Sequence, residues 1–256
     1  MPSGVAASRR VASPHRPRHA RRRSRWWRLL PASGAVVAAA VAATATWMVT
    51  LPSVGDAGAR VARLLAEHGG HPITAPPPPR LAASLVAAED QYFYSDILVN
   101  VAEGAGRAGL ALLRHRGDPG GSTIPQQLAK QLWPQHPGFV GVADDVGIGV
   151  KLGLRYSKPT ILAMYLNAVY FGNGYWGVDA AAEGYFGRPP ARLDWAQASL
   201  LAGLPQAPSA YDPFRDLPLA KRRQRYVLDQ LVSTGRLTAA QARRAYAAPL
   251  DLRVAG

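Results

Sequence analysis

Between residues 80 and 250 the apolar positions recur three and four apart, the period of a helix with one buried face. Leu81, Leu85, Ala88 and Tyr92 mark one such face, which ends on Glu89-Asp90-Gln91-Tyr92-Phe93 and so places a carboxylate pair at a helix end. Ile161, Leu162, Tyr165, Leu166 and Val169 mark a second, with Ser157 as its predicted N-cap and Pro159 in the first turn. Leu219 to Val232 predict a third helix that stops by Gly235, and Thr238 with Gln241 reads as the capping box of a last one. No run of alternating apolar and polar residues predicts a strand, so the expected fold class is mostly α.

Two stretches depart from this pattern. Leu29 to Leu51 carries no charge over 23 residues, more than the roughly 20 a helix needs to cross a bilayer, and is expected to be a transmembrane anchor. A cleaved secretory signal, with Ala43-Thr44-Ala45 as its processing site, is the competing reading, although the apolar cores of such signals run only about 7 to 15 residues. Residues 52–79 are polar, contain glycine and close on the four prolines Pro76 to Pro79, which predicts a stiff, extended linker. Val61, Leu64 and Leu65 could form a short juxtamembrane helix within it. Residues 80–250 suffice for one domain with its own core.

Charge changes the picture mainly at the N-terminus. The formal net charge is +14, yet nine arginines lie in the first 28 residues with no acid among them, which leaves +5 for the rest of the chain. Residues 1–28 therefore read as a basic tail that the positive-inside rule keeps in the cytoplasm, with the body of the chain outside. Such a tail suits anionic lipid headgroups, and with no recognisable reading module nucleic acid is not an expected partner. The chain has no cysteine, which excludes disulfides, thiolate metal sites and a cysteine nucleophile.

Candidate chemistry centres on Gly120 to Lys130, GGSTIPQQLAK. A Gly-Gly turn runs into an amide-rich helical start, where exposed helix-terminal amides and the compact charge of Lys130 suit an anion such as phosphate. Taken alone, the same stretch is equally an ordinary loop capping a surface helix, and Glu89 by itself reads first as a solvated helix-end carboxylate. Downstream stand Tyr165 to Gly172 (YLNAVYFG), Gly203 to Pro208 (GLPQAP) and Tyr211-Asp212-Pro213.

Four motifs in this order resemble the peptidoglycan glycosyltransferases of glycosyltransferase family 51, over roughly Arg80 to Leu250. The resemblance implies a lysozyme-like, mostly α domain at the cell membrane, on a single-pass anchor, that polymerises lipid II onto a growing glycan strand and releases undecaprenyl diphosphate. It implies Glu89 as general base and Asp145 as a second carboxylate, the latter a candidate ligand for a divalent cation such as Mg or Mn. Asp90, Phe93, Gly121, Ser122, Thr123, Gln126, Gln127, Lys130 and Asn167 are implied on the substrate side. Read from its own chemistry, Asn167 is architectural, tying helix to turn. Penicillin-binding transpeptidases or other wall-synthesis proteins are the implied partners.

The motifs are not fully kept. Asp96 and Leu98 stand where the family has histidine and glycine, Pro125 replaces a threonine, Gln131 an asparagine, and Gln197 a glutamate. Counting back from Tyr156 puts Asp145 at a family glutamate, with Gly141 and Val142 replacing an Arg-Lys pair. A relative that binds precursor or wall proteins without turnover is thus a second expectation, and a lytic transglycosylase or muramidase, which would also need an acidic group, a third.

Overall fold

The computed structural model describes residues 30–95, 122–134 and 136–253. The expected basic tail and Leu29, Asp96 and Leu98 of the first motif, and Gly121 of the site lie outside them. The chain divides into two units, residues 1–48 and 49–256.

In the first unit the expected helix over the uncharged stretch is present as α1, Leu30–Thr50. Thr44 and Thr46 return their hydroxyls to the carbonyls of Ala40 and Ala42, at 2.8 and 2.9 Å, which hides their polarity within the helix. Val36, Val41 and Val49 are exposed. Alanine and threonine, rather than leucine, make up most of this segment, and among the described residues no helix is long and apolar enough to cross a membrane.

The second unit is a helical bundle of α2 (Ala57–Glu67), α3 (Pro79–Glu89), α4 (Ile124–Leu132), α5 (Gly138–Arg155), α6 (Lys158–Ala168), α7 (Val178–Phe186), α8 (Trp195–Gly203), α9 (Leu217–Ser233) and α10 (Ala239–Ala247). A lone antiparallel bridge, Tyr170 to Trp176, is the β pairing among the described residues. The sequence-predicted caps form: Ser157 Oγ accepts from the Thr160 N–H, and the Thr238 N–H donates to Gln241 Oε1 at 2.8 Å while the Gln241 N–H returns to Thr238 Oγ1. Ile161, Leu162, Tyr165, Leu166 and Val169 are all buried.

Two differences from the sequence reading have physical causes. The stretch expected to be a linker contributes α2 to the core, where Ala57, Val61 and Leu65 are buried; their spacing gives this helix an apolar face, and α6 covers it. Helix α3 ends at Glu89, because Asp90 leaves helical backbone at φ −157°, ψ 79°. Tyr92 therefore falls past the helix end and is exposed.

Contacts sort the helices into two groups, one of α3, α8, α9 and α10, the other of α2, α4, α5 and α6. Glu89 and Asp90, at the C-terminal end of α3, bond across to α4 of the second group, and α7 touches both groups through α6 and α8.

Candidate active site

Glu89 is the last residue of α3, and each helix group holds one of its carboxylate oxygens. From α4, Gln127 Nε2 donates to Oε2 at 3.2 Å; from α9, Arg223 Nη2 donates to Oε1 at 3.2 Å. The ion pair is well shielded, with side-chain exposures of 10% for Arg223 and 8% for Glu89. Arg223 is itself oriented: its Nε donates to the Gly203 carbonyl at 3.1 Å, and its guanidinium lies 4.5 Å from the Tyr226 ring centre. A Cβ on Gly203 would come within 2.8 Å of the Arg223 side chain, so the bare backbone there makes room for it.

Beyond Glu89 the polar chain continues into the segment expected to hold an anion. Gln127 Nε2 also donates to the Ser122 carbonyl at 3.2 Å, and Lys130 Nζ donates to Ser122 Oγ at 3.0 Å. Tyr165, on the floor of the site, donates its hydroxyl to Gln127 Oε1 at 2.7 Å. Burial, followed by the nearby charge of Glu89, raises the Tyr165 phenol well above its ordinary range, so it stays a donor. Glu89, Ser122, Gln127 and Lys130 are thus brought into one connected face, and Tyr165 and Arg223 join them.

The helix-terminal amides expected to face a ligand are instead consumed within the fold. The Ile124 N–H donates to Asp90 Oδ2 at 3.0 Å, the Thr123 N–H to Gln126 Oε1 at 2.9 Å, and Pro125 has no N–H to offer. Asp90, Thr123 and Gln126 are buried in this cap, and the cation this segment presents is Lys130, which bonds Ser122 Oγ. Phe93 is buried beneath Lys158, whose ammonium lies 4.9 Å from its ring centre. Asn167 clamps Ile73, accepting from its N–H and donating to its carbonyl, both at 2.9 Å, which is an architectural use of both ends of the amide.

Asp145 is buried on α5, which packs on α4. Among the described residues no group of three or more His, Asp or Glu side chains converges as metal ligands. One carboxylate does not make a cage for a hard cation, which here would need substrate oxygens to complete its shell. At Gly141, where the resemblance implies a basic residue, any Cβ would run into the His136 carbonyl. Gln197, at the family glutamate, is fully buried and donates to the Leu250 carbonyl at 3.0 Å.

Beside Glu89 opens a polar cavity of about 210 Å³ whose lining includes Asp90, Gln91, Tyr226 and Gln230. It gives a reactant access to the carboxylate from the α9 side. Sequence reasoning missed Arg223 because it stands in Lys221-Arg222-Arg223-Gln224-Arg225, which reads as a solvated charge run. The signal that could have found it is its register, three residues after buried Ala220 and four before buried Val227.

Residues 64–232 match the family model described as Transglycosylase. The chain is 37% identical over 156 residues to penicillin-binding protein 2a of Streptococcus pneumoniae, covering 60% of this chain and 21% of that protein. Penicillin-binding protein 1F of Bacillus subtilis is 35% identical over 179 residues, 69% of this chain and 25% of the relative. A protein of Cupriavidus necator provisionally described as a transglycosylase is 33% identical over 177 residues, covering 69% of this chain and 76% of the relative. The chain spans about a fifth to a quarter of the length of the penicillin-binding proteins it matches.

Proposed function

Since the chain belongs to the transglycosylase family, we propose that it is a membrane-anchored peptidoglycan glycosyltransferase that polymerises lipid II. The observation that carries this reading is the continuity of Glu89 with Gln127, Ser122 and Lys130, which sets a proton acceptor and a cation on one face. The 4-hydroxyl of the acceptor disaccharide attacks the anomeric carbon of the growing glycan, and its proton passes to Glu89. The new C–O bond forms as the bond to the diphosphate breaks, and Lys130, with the Ser122 hydroxyl, meets the charge left on the departing undecaprenyl diphosphate. The cavity beside Glu89, lined by Tyr226 and Gln230 of α9, supports approach of the acceptor hydroxyl to the carboxylate.

A divalent cation, Mg or Mn, would use Asp145 together with diphosphate oxygens and would add charge compensation at the leaving group. No step requires it. The arginine-rich tail ahead of an uncharged stretch supports a membrane anchor with the body outside. Transpeptidases of the penicillin-binding class are the partners that would crosslink the product.

A non-catalytic precursor-binding role is favoured by one observation, the closed backbone at Gly141 where the family carries a basic side chain. Polymer formation from labelled lipid II separates the two. Product from the wild type, absent in Glu89→Gln and reduced in Asp145→Asn, supports the transferase; retained lipid II binding with no polymer from the wild type refutes it in favour of the binder.

A further inference from the structure

We propose that Tyr165 is a positioning residue that acts on Glu89 through Gln127. For its kinetic consequence this rests on the transferase reading above; for its geometry it does not. Gln127 offers one donor end and one acceptor end. The donor end faces two groups that only accept, Glu89 Oε2 and the Ser122 carbonyl, both at 3.2 Å. The acceptor end takes the Tyr165 hydroxyl at 2.7 Å, the shortest contact of the set.

The ring of Tyr165 is 1% exposed and belongs to the hydrophobic core. A phenylalanine would fill that volume equally well, so packing does not account for the hydroxyl. Its partner is Gln127. Burial and the neighbouring Glu89 charge keep the phenol protonated, so it donates throughout the ordinary pH range. A donor fixed at Oε1 pins the amide in place and, by polarising it, strengthens the Nε2 donation toward Glu89. Helix α6 thereby sets the aim of a carboxylate carried on α3, with α4 as the intermediary. Removing the hydroxyl frees the amide to swing and leaves the half-buried Oε1 without its donor.

A double-mutant cycle on the full chain in detergent tests this, with wild type, Tyr165→Phe, Gln127→Ala and the double variant compared in lipid II polymerisation, and with thermal unfolding as the check on folding. Tyr165→Phe is expected to lower kcat by roughly 5- to 10-fold, the equivalent of one hydrogen bond, with KM for the donor nearly unchanged. In the Gln127→Ala background the same substitution should change kcat by less than about twofold. Equal losses in both backgrounds, or an unchanged kcat in Tyr165→Phe, overturn the proposal, because a merely structural tyrosine acts without regard to Gln127. A second readout needs no turnover: in protein labelled with ¹⁵N-glutamine, the Gln127 side-chain amide resonances should move on Glu89→Gln and on Tyr165→Phe. Movement on both supports the positioning chain, and indifference to Tyr165→Phe refutes it. If the wild type makes no polymer, the transferase reading fails and the amide resonances still decide the role of Tyr165.

Discussion

Arg223→Met would remove one partner of the shielded ion pair that meets Glu89 Oε1 at 3.2 Å and leave the carboxylate to its remaining hydrogen bonds. With exposures of 10% and 8%, neither side chain can turn readily to water, so the cost belongs with buried rather than surface pairs. Breaking a buried pair costs about 3–5 kcal/mol. For a domain of this size each kcal/mol moves the melting temperature by roughly 2–4 °C, so the midpoint should fall by roughly 6–20 °C. The double variant Glu89→Leu/Arg223→Met removes both charges and should recover most of that loss, since well-packed apolar replacements for a buried pair are often neutral. Thermal unfolding of the full chain followed by circular dichroism measures both. A loss under about 1 kcal/mol in Arg223→Met, the value of an exposed pair, would refute the reasoning, as would a double variant no more stable than the single one.

Lys130→Ala should weaken binding of a moenomycin-type inhibitor by roughly 10- to 100-fold, the range for losing a charge-assisted bond, with little change in melting temperature; calorimetric titration checks this, and unchanged affinity would remove Lys130 from the anion site. Gly141→Arg, which restores a basic residue, should destabilise the fold by about 1–3 kcal/mol through collision with the His136 carbonyl, whereas Val142→Lys, at a half-buried position, should be better tolerated; denaturant unfolding distinguishes them. Burial, then Asp212, holds the Tyr185 phenol far above its free value of 10.0. Above about pH 10 the unfolded chain therefore sheds a proton that the fold retains, and stability falls as pH rises. Tyr185→Phe should flatten that decline in unfolding curves taken between pH 9 and 11, and an unaltered slope would remove Tyr185 as its source.

Much of the bundle was legible because helices and their ends are local. Ser157 with Thr160, and Thr238 with Gln241, are cap pairs three residues apart, and each forms as its spacing predicts. Leu81 and Leu85, and Ile161 with Tyr165, are buried at the period that marked them. The linker was legible in part: Val61 and Leu65 marked a short helix within it, but its burial in the core matters only once α6 is there to cover it. At the site, the helix-end carboxylates and the lysine of the glycine-led helix start were local signals, whereas the roles of Glu89 and Gln127 were implied by the resemblance to the family. The spending of the α4 amides on Asp90 was not visible, since Ile124 and Asp90 are 34 positions apart.

The sequence by itself determined the mostly α class, the N-caps of α6 and α10, the uncharged N-terminal segment, and where a carboxylate pair and a lysine stand along the chain. Only the tertiary structure decided what those groups face. The Arg223 to Glu89 pair spans 134 positions and the Tyr165 to Gln127 bond 38, and neither follows from propensity or periodicity. Each of these two bonds forms within one helix group, and Gln127 of the second group then donates to Glu89 of the first; the burial of apolar faces carries these side chains together, and a buried charge or hydroxyl there must find a partner.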